Sequence, residues 1–371
     1  MKRLVLFLFF SGLSFAQVTT VASLISPSEE SLPDSNLVFG TDGNFYGITS
    51  YVDGGTAYVV TPEGQVSTLY TFCQLNQCGD GSDPTGIMQA TDGNLYGTTF
   101  GGGVDPSHRG GTFYKVTLQG QHTILRSFSS SKEGFKQPAS APVEWKGNFY
   151  GTTSCCDWGS VYKITAAGKF TVLHRFTGFD GMQPAGALVM GKDGYFRGTA
   201  GGGKYLSGAI FKISPTGAFA LLYSFCKVRS CPDGSDPETR LIQTTNGAFY
   251  GSTPNGWGTI FKIKGTTFKT VHRFCQQTNC NDGKMPYGPL TQGSDGNLYG
   301  VTALGGSLGG GTIYRITMSG VFTTLYSFTL NAVTGWGPFG GLVEVTPGNF
   351  YGTTGGGGTF GYGTVFKFVA N

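Results

Sequence analysis

A unit of about fifty residues recurs seven times along this chain, and no other feature restricts its possible folds so tightly. The unit reads D-G-N-F-Y-G-T-T, a glycine-rich loop, G-T-V-F-K-I-T, a turn, and T-x-L-Y-S-F. Its tyrosine–glycine step falls at Tyr46, Tyr96, Tyr150, Tyr250, Tyr299 and Tyr351, and Arg197 takes the tyrosine's place in the fourth copy. The spacings are 50, 54, 47, 53, 49 and 52 residues. Each copy holds four short runs of aromatic and β-branched residues with no competing helical period, so four strands are expected per copy. In the last copy strand a is residues 341–344, strand b 349–354 and strand c 363–367; strand d is complete in copy six as residues 322–328.

Turn chemistry separates the strands. Asp42-Gly43, Asp92-Gly93, Asp193-Gly194, Asn246-Gly247 and Asp295-Gly296 sit between a and b, where they predict type I′ hairpins. Thr61-Pro62-Glu63-Gly64 and Ser214-Pro215-Thr216-Gly217 link c to d. With 63 glycines in 371 residues and no collagen period, the composition also fits many strands joined by tight turns.

The last copy stops after strand c, while residues 18–24 (VTTVASL) form an orphan that matches strand d. The N-terminal strand therefore completes the final blade of a closed ring, which removes open strand edges. The expected fold is all-β: a seven-bladed β-propeller with four antiparallel strands per blade, occupying residues 17–371. A parallel β-helix fits less well, because its coils are shorter than these repeats.

Ahead of the ring, Lys2 and Arg3, the apolar residues 4–10 and Ser14-Phe15-Ala16 make a signal peptide, residues 1–16. The apolar run is too short to span a bilayer. Its removal leaves 371 − 16 = 355 residues and lowers the net charge from +4 by the two lost cations to +2. That is too little charge to argue for nucleic acid or an anionic membrane. A secreted monomer is expected, with no membrane span, no metal and no cofactor.

The repeat, over essentially the whole mature chain, resembles the GloVer tandem repeat of bacterial extracellular proteins. The resemblance implies an exported bacterial protein, agrees with the propeller, and carries no catalytic residues over. Members often bear a C-terminal surface anchor; the residues after the last strand c, 368–371 (FVAN), hold none.

Strand parity puts the short a–b and c–d turns on one face of the ring. The long, variable b–c loops and d–a crossings lie on the other, where function is expected. Cys73 and Cys78, Cys226 and Cys231, and Cys275 and Cys280 each follow a strand-d phenylalanine at the same spacing, which predicts three local disulfides. Cys155 and Cys156 are adjacent and form either a vicinal disulfide or two thiols. The binding candidates are Tyr51, Arg109, Asp157, Trp158, Tyr205, Trp257 and Trp336, since tryptophan and tyrosine offer flat apolar faces to sugar rings or peptide side chains. Gln89, Glu144, Gln243, Gln292 and Glu344 recur in strand a, where they are expected to coat a hydrated axial channel. The strand-c cations, Lys163 and Lys262 among them, are expected to lie along aromatics with their heads in water. The repeated Asp80-Gly81-Ser82-Asp83-Pro84 and Asp233-Gly234-Ser235-Asp236-Pro237 read as turns before proline; two carboxylates are few for calcium.

No zinc helix, metal cluster or phosphate loop occurs in the sequence. Of four histidines, His174 and His272 replace a strand-d tyrosine, His122 also sits in strand d, and only His108 lies in a variable loop. The functional expectation is a non-enzymatic extracellular module that binds glycans through the long-loop face. The alternatives are a protein-interaction or cell-envelope scaffold and, behind these, a polysaccharide-acting enzyme.

Overall fold

The computed structural model describes residues 17–24, 32–33, 36–51, 54–104, 110–129, 136–155, 157–276 and 278–370. The segment expected as the signal peptide, residues 1–16, lies outside them. Seven antiparallel sheets form seven blades. Numbered along the chain, their b strands are Phe45–Tyr51, Leu95–Gly101, Asn148–Cys155, Phe196–Ala200, Phe249–Thr253, Leu298–Thr302 and Asn349–Thr354. Blade 5 shows the plan, with Ile242–Gln243 as strand a, Phe249–Thr253 as b, Thr259–Lys264 as c and Thr267–Arg273 as d.

The N-terminal strand closes the ring as expected. Gln17–Ser23 pairs antiparallel with Thr364–Val369, which completes a four-stranded blade 7. The match extends to a defect. In every blade the c–d ladder skips one residue of strand d, and the N-terminal strand skips Val21 where blade 3 skips Leu173. A bulge kept in a strand from the far end of the chain marks it as a true d strand.

The tyrosine–glycine step has a steric cause. A strand-c ring lies across the strand-b glycine: a Cβ on Gly151 would meet the Tyr162 hydroxyl at 2.4 Å, and one on Gly251 would meet the Phe261 ring at 2.7 Å. All seven copies repeat the arrangement, so the glycine makes room for the largest core side chain. The a–b turns differ from the expected type I′. Gly43 N–H donates to Gly40 C=O and Gly40 N–H to Asn44 C=O, and only the glycine has positive φ (85°). These are three-residue connections in which a type I turn is followed by glycine in the left-handed region, one residue longer than an I′ hairpin. Blade 3 alone, one residue shorter here, places both turn residues, Lys146 and Gly147, at positive φ.

Among the repeated contacts that join blades, three involve rings or the a–b turns. Near the axis a strand-b tyrosine packs on the next blade's phenylalanine, as Tyr96 on Phe149 at 4.4 Å and Tyr150 on Phe196 at 4.4 Å. The Arg197 exception keeps the contact: its guanidinium lies 4.2 Å from the Phe249 centroid and pairs with Asp193 at 2.6 Å. At the rim, strand-d rings stack across junctions, Tyr223 on Phe268 at 3.9 Å and His272 on Phe322 at 3.9 Å. The third contact corrects an expectation. Gln89, Glu144, Gln243, Gln292 and Glu344 accept hydrogen bonds from the preceding blade's a–b turn, for instance Glu144 from Thr91 N–H at 2.8 Å and Oγ1 at 2.7 Å. An unsatisfied turn N–H beside a strand-a end draws these side chains sideways, so they staple blades instead of coating a channel. The strand-c lysines do lie on rings, with Lys163 Nζ 5.9 Å from the Tyr150 centroid and Lys262 Nζ 5.5 Å from that of Tyr250.

Candidate functional site

The face carrying the b–c loops and d–a crossings is held rigid from below. Each predicted disulfide is present: Cys73–Cys78, Cys226–Cys231 and Cys275–Cys280. Beside each, a buried or half-buried carboxylate gathers the crossing. Asp80 accepts from the Tyr70 hydroxyl at 2.7 Å and from Gln74 and Leu75 N–H; Asp233 accepts from the Tyr223 hydroxyl and Cys226 N–H. His272 takes the tyrosine's role with Asp282 at 3.0 Å, and His174 with Asp180 at 3.0 Å. Burial lowers the pKa of both histidines, partly offset by these carboxylates. The histidine–aspartate pairs are thus rim versions of a tyrosine–aspartate bond and hold loops. In the D-G-S-D-P runs, Asp83 and Asp236 take positive φ (54° and 50°) directly before proline. That arrangement seats the proline on the preceding blade: a Cβ on Gly208 would meet Pro237 at 2.2 Å.

Loops fixed in this way carry exposed apolar side chains. Trp158 is 54 % exposed and Trp257 53 %. They occupy the b–c loops of blades 3 and 5, and the blade 4 loop between them carries half-buried Tyr205 and exposed Leu206. Asp157 and Trp158 both have positive φ (53° and 70°), and Trp158 C=O accepts from Gln183 N–H at 2.8 Å. A bulky residue held there pays strain to stand in solvent, a mark of functional positions. Lys284 Nζ sits 5.5 Å from the Trp257 ring and Lys204 Nζ 5.7 Å from that of Tyr205. Sequence reasoning missed Phe179, which is 74 % exposed at the tip of the crossing from blade 3 to blade 4. Its signal was an aromatic isolated in Thr177-Gly178-Phe179-Asp180-Gly181, a crossing without the cysteine pair.

The other candidates divide. Trp336 is half-buried and lies flat over Gly356, where a Cβ would meet the ring at 2.3 Å, so it closes blade 7 instead of standing open. Arg109, Cys156 and the side chain of Tyr51 lie outside the described residues, as do Asp105 and His108. Among the described residues no cluster of three or more histidine, cysteine or acidic side chains could hold a metal, and no helix is long and apolar enough to cross a membrane.

Along the axis, strand a of the blades surrounds a cavity of about 910 Å³. Its wall is mostly apolar, with Phe39, Met88, Val189, Met190 and Val343 among the lining residues, and Tyr287 and Phe339 pack together at 5.8 Å on the loop-face side. Of the five expected channel residues only Gln89 reaches this wall.

Solved structures of low identity share the fold. The extracellular domain of a candidate one-component system from Bacteroides thetaiotaomicron aligns with a TM-score of 0.59 at 10 % identity, over 95 % of this chain and 40 % of that one. A candidate 6-phosphogluconolactonase from Bacteroides uniformis aligns at 0.55 and 12 %, over 84 % and 89 %. A protein from Lactobacillus plantarum aligns at 0.54 and 17 %, over 79 % and 84 %. Comparison with curated proteins gives no match. The family model of the Gloeobacter/Verrucomicrobia repeat matches residues 32–256 and 232–371. On the repeat, the ring it closes and that match, the chain belongs to the Gloeobacter/Verrucomicrobia repeat family.

Proposed function

We propose that this chain is a secreted, non-catalytic binding module whose loop face takes sugar rings on Trp158 and Trp257. The observation that carries the reading is the exposure of both indoles on braced loops of blades 3 and 5, Trp158 at a strained backbone position. Indole faces stack on the apolar faces of pyranose rings, and neighbouring Asp157, Lys204 and Lys284 supply hydrogen bonds to hydroxyls. Three disulfides fit an oxidising compartment, in keeping with the leader expected at residues 1–16 and with a fold shared by an extracellular domain. A second reading, docking of an extracellular protein, draws support from the aliphatics Leu75, Leu206, Val228, Leu330 and Val333 exposed on the same face.

A glycan array probed with residues 17–371 and with the Trp158→Ala/Trp257→Ala double variant tests the first reading. Binding to defined sugars that the variant loses supports it. Silence of the folded, oxidised protein across the array rejects it in favour of a protein partner, to be sought by cross-linking.

A further inference from the structure

The ring breaks its own symmetry once at the axis. Each strand a is preceded or opened by a buried plug such as Leu37, Ile87, Leu188, Leu241 or Leu290. At the residue just before the plug position, six blades place Asn36, Gly86, Ala141, Ala187, Pro289 and Gly341; blade 5 places Arg240. The small residues are required where neighbours abut, since a Cβ on Gly86 would meet Ala141 N at 2.6 Å and one on Gly341 would meet Pro289 O at 2.8 Å. Arg240 instead lines the axial cavity. It is exposed, and it makes no hydrogen bond or ion pair with any described residue. The protein crowded around it pushes its pKa down. Its five N–H donors therefore stand open to the cavity with no acceptor from the protein, free to meet one that a ligand brings.

Two carboxylates share that space. Glu238 lies two residues earlier on the same extended run, and Asp83 lies at the start of strand a in blade 2; both line the cavity. Neither has a hydrogen bond or ion pair with a described residue. Burial raises the pKa of each, with Asp236 adding to the effect at Glu238. One cation among two acids disfavours a doubly charged anion such as phosphate or sulfate. A planar, singly charged carboxylate matches the guanidinium fork, and hydroxyls donate well to the acids.

We propose that the axial cavity binds a small polyhydroxy carboxylate, a sugar acid, whose carboxylate pairs with Arg240 and whose hydroxyls donate to Glu238 and Asp83. The apolar walls receive the ligand's carbon skeleton, and the volume lies within the usual range for small-molecule sites. This site goes beyond the loop-face reading and uses none of its residues.

Calorimetric titration of residues 17–371 with D-glucuronate, D-gluconate, D-glucose and sulfate tests it. At least one sugar acid is expected to bind, about tenfold or more tighter than glucose or sulfate. Arg240→Gln is expected to lose about tenfold or more of that affinity, Arg240→Lys to lose less, and Trp158→Ala/Trp257→Ala to change nothing. Should Arg240→Gln not fold, the melting temperature of the unaltered protein gives a second readout, rising with the sugar acid and not with glucose. The proposal is overturned if neither acid binds at about 10 mM, if sulfate binds as well as they do, or if Arg240→Gln binds like the parent. Loss of acid binding in the tryptophan variant, with Arg240→Gln intact, would also overturn it by placing the ligand on the loop face.

Discussion

The junction between blades 4 and 5 and the one between blades 7 and 1 use the same repeat positions with different chemistry. From blade 4 to blade 5, Lys192 N–H donates to Gln243 at 2.9 Å, Arg197 lies over Phe249, and Tyr223 stacks on Phe268 within 5° of parallel. From blade 7 to blade 1 the stapling position is Phe39, and the stacking positions are Ala22 and Val66. Only the inner ring contact survives, Tyr351 with Phe45 at 4.5 Å. An aliphatic cluster containing Ala22, Leu24, Leu37, Val60 and Val365 fills the rest. Directional contacts thus specify blade order where one repeat follows another in sequence. The closing blade is held by the backbone ladder of Gln17–Ser23 on Thr364–Val369, by one hydrogen bond from Gly341 N–H to Asn36 Oδ1 across the junction, and otherwise by non-directional burial.

If that division holds, the ladder should matter most. Deleting residues 17–24 exposes the edge of Thr364–Val369 and the apolar surface packed beneath strand d. The expected cost exceeds about 5 kcal/mol, comparable with a domain's entire net stability, so the truncated chain should not accumulate as a folded monomer. A truncated protein with the parent's circular dichroism and melting temperature would show that the ring closes without its N-terminal strand. The next effect separates the two junctions directly. Phe268→Ala loses an apolar ring and a stacked partner and should cost about 2–3 kcal/mol. Val66→Ala, at the same repeat position in blade 1, should cost about 1 kcal/mol, because the position across the junction is Ala22 and offers no ring to stack on. Equal shifts in urea midpoint would mean that stacking adds nothing specific to the continuous junctions.

The architecture was legible because each blade repeats the same solution. Alternation, turn residues and the orphan strand at residues 18–24 sufficed for blade count and closure, and equal cysteine spacing in three copies sufficed for three disulfides. Periodicity says which face of a strand a residue occupies, and says nothing about how far a long side chain reaches sideways. Gln89 and Glu144 were therefore placed in a channel, while their carbonyl and carboxylate oxygens satisfy turn N–H groups one blade away. Trp336 and Trp158 look alike as loop tryptophans; Gly356 lets the first lie flat, and positive φ holds the second out. Arg240 was visible only as one cation among many until alignment along the axis set it against glycine, alanine, proline and asparagine.

The first junction sharpens the comparison through pH. His122 stacks on Tyr70 at 4.1 Å, at the position that Phe268 fills in blade 5. Burial lowers its pKa to about 4, against a small opposing pull from Asp80, and its Nε2 has no partner among the described residues. In the unfolded chain the ring takes a proton near pH 6.5; in the folded protein it resists until about pH 4. Its contribution is therefore whole above pH 6.5 and drains away as the pH falls towards 4. The loss should be about 1–2 kcal/mol, allowing for partial solvent access. His122→Phe keeps a ring on Tyr70 and removes the proton. Its urea midpoint should fall less than the parent's between pH 7 and pH 5, the remaining fall coming from groups such as His174 and His272. Parallel curves for the two proteins would show that this ring does not titrate across the junction.

The smallest expected effect concerns the inner staple, and it decides whether that contact is directional at all. Glu144 accepts from both the N–H and the hydroxyl of Thr91 across the junction of blades 2 and 3. Glu144→Ala leaves two donors of the turn to water and should cost about 1 kcal/mol, the net worth of an accessible hydrogen bond. Glu144→Gln keeps one acceptor oxygen, the arrangement that Gln243 and Gln292 already use, and should recover most of the loss. Thr91→Ala should then add little to Glu144→Ala, since both remove the same hydroxyl contact. Additive losses in the double variant would reduce the staple to two independent surface residues. The absence of an acceptor at Phe39 and Met190 would then carry no meaning for how the ring chooses its neighbours.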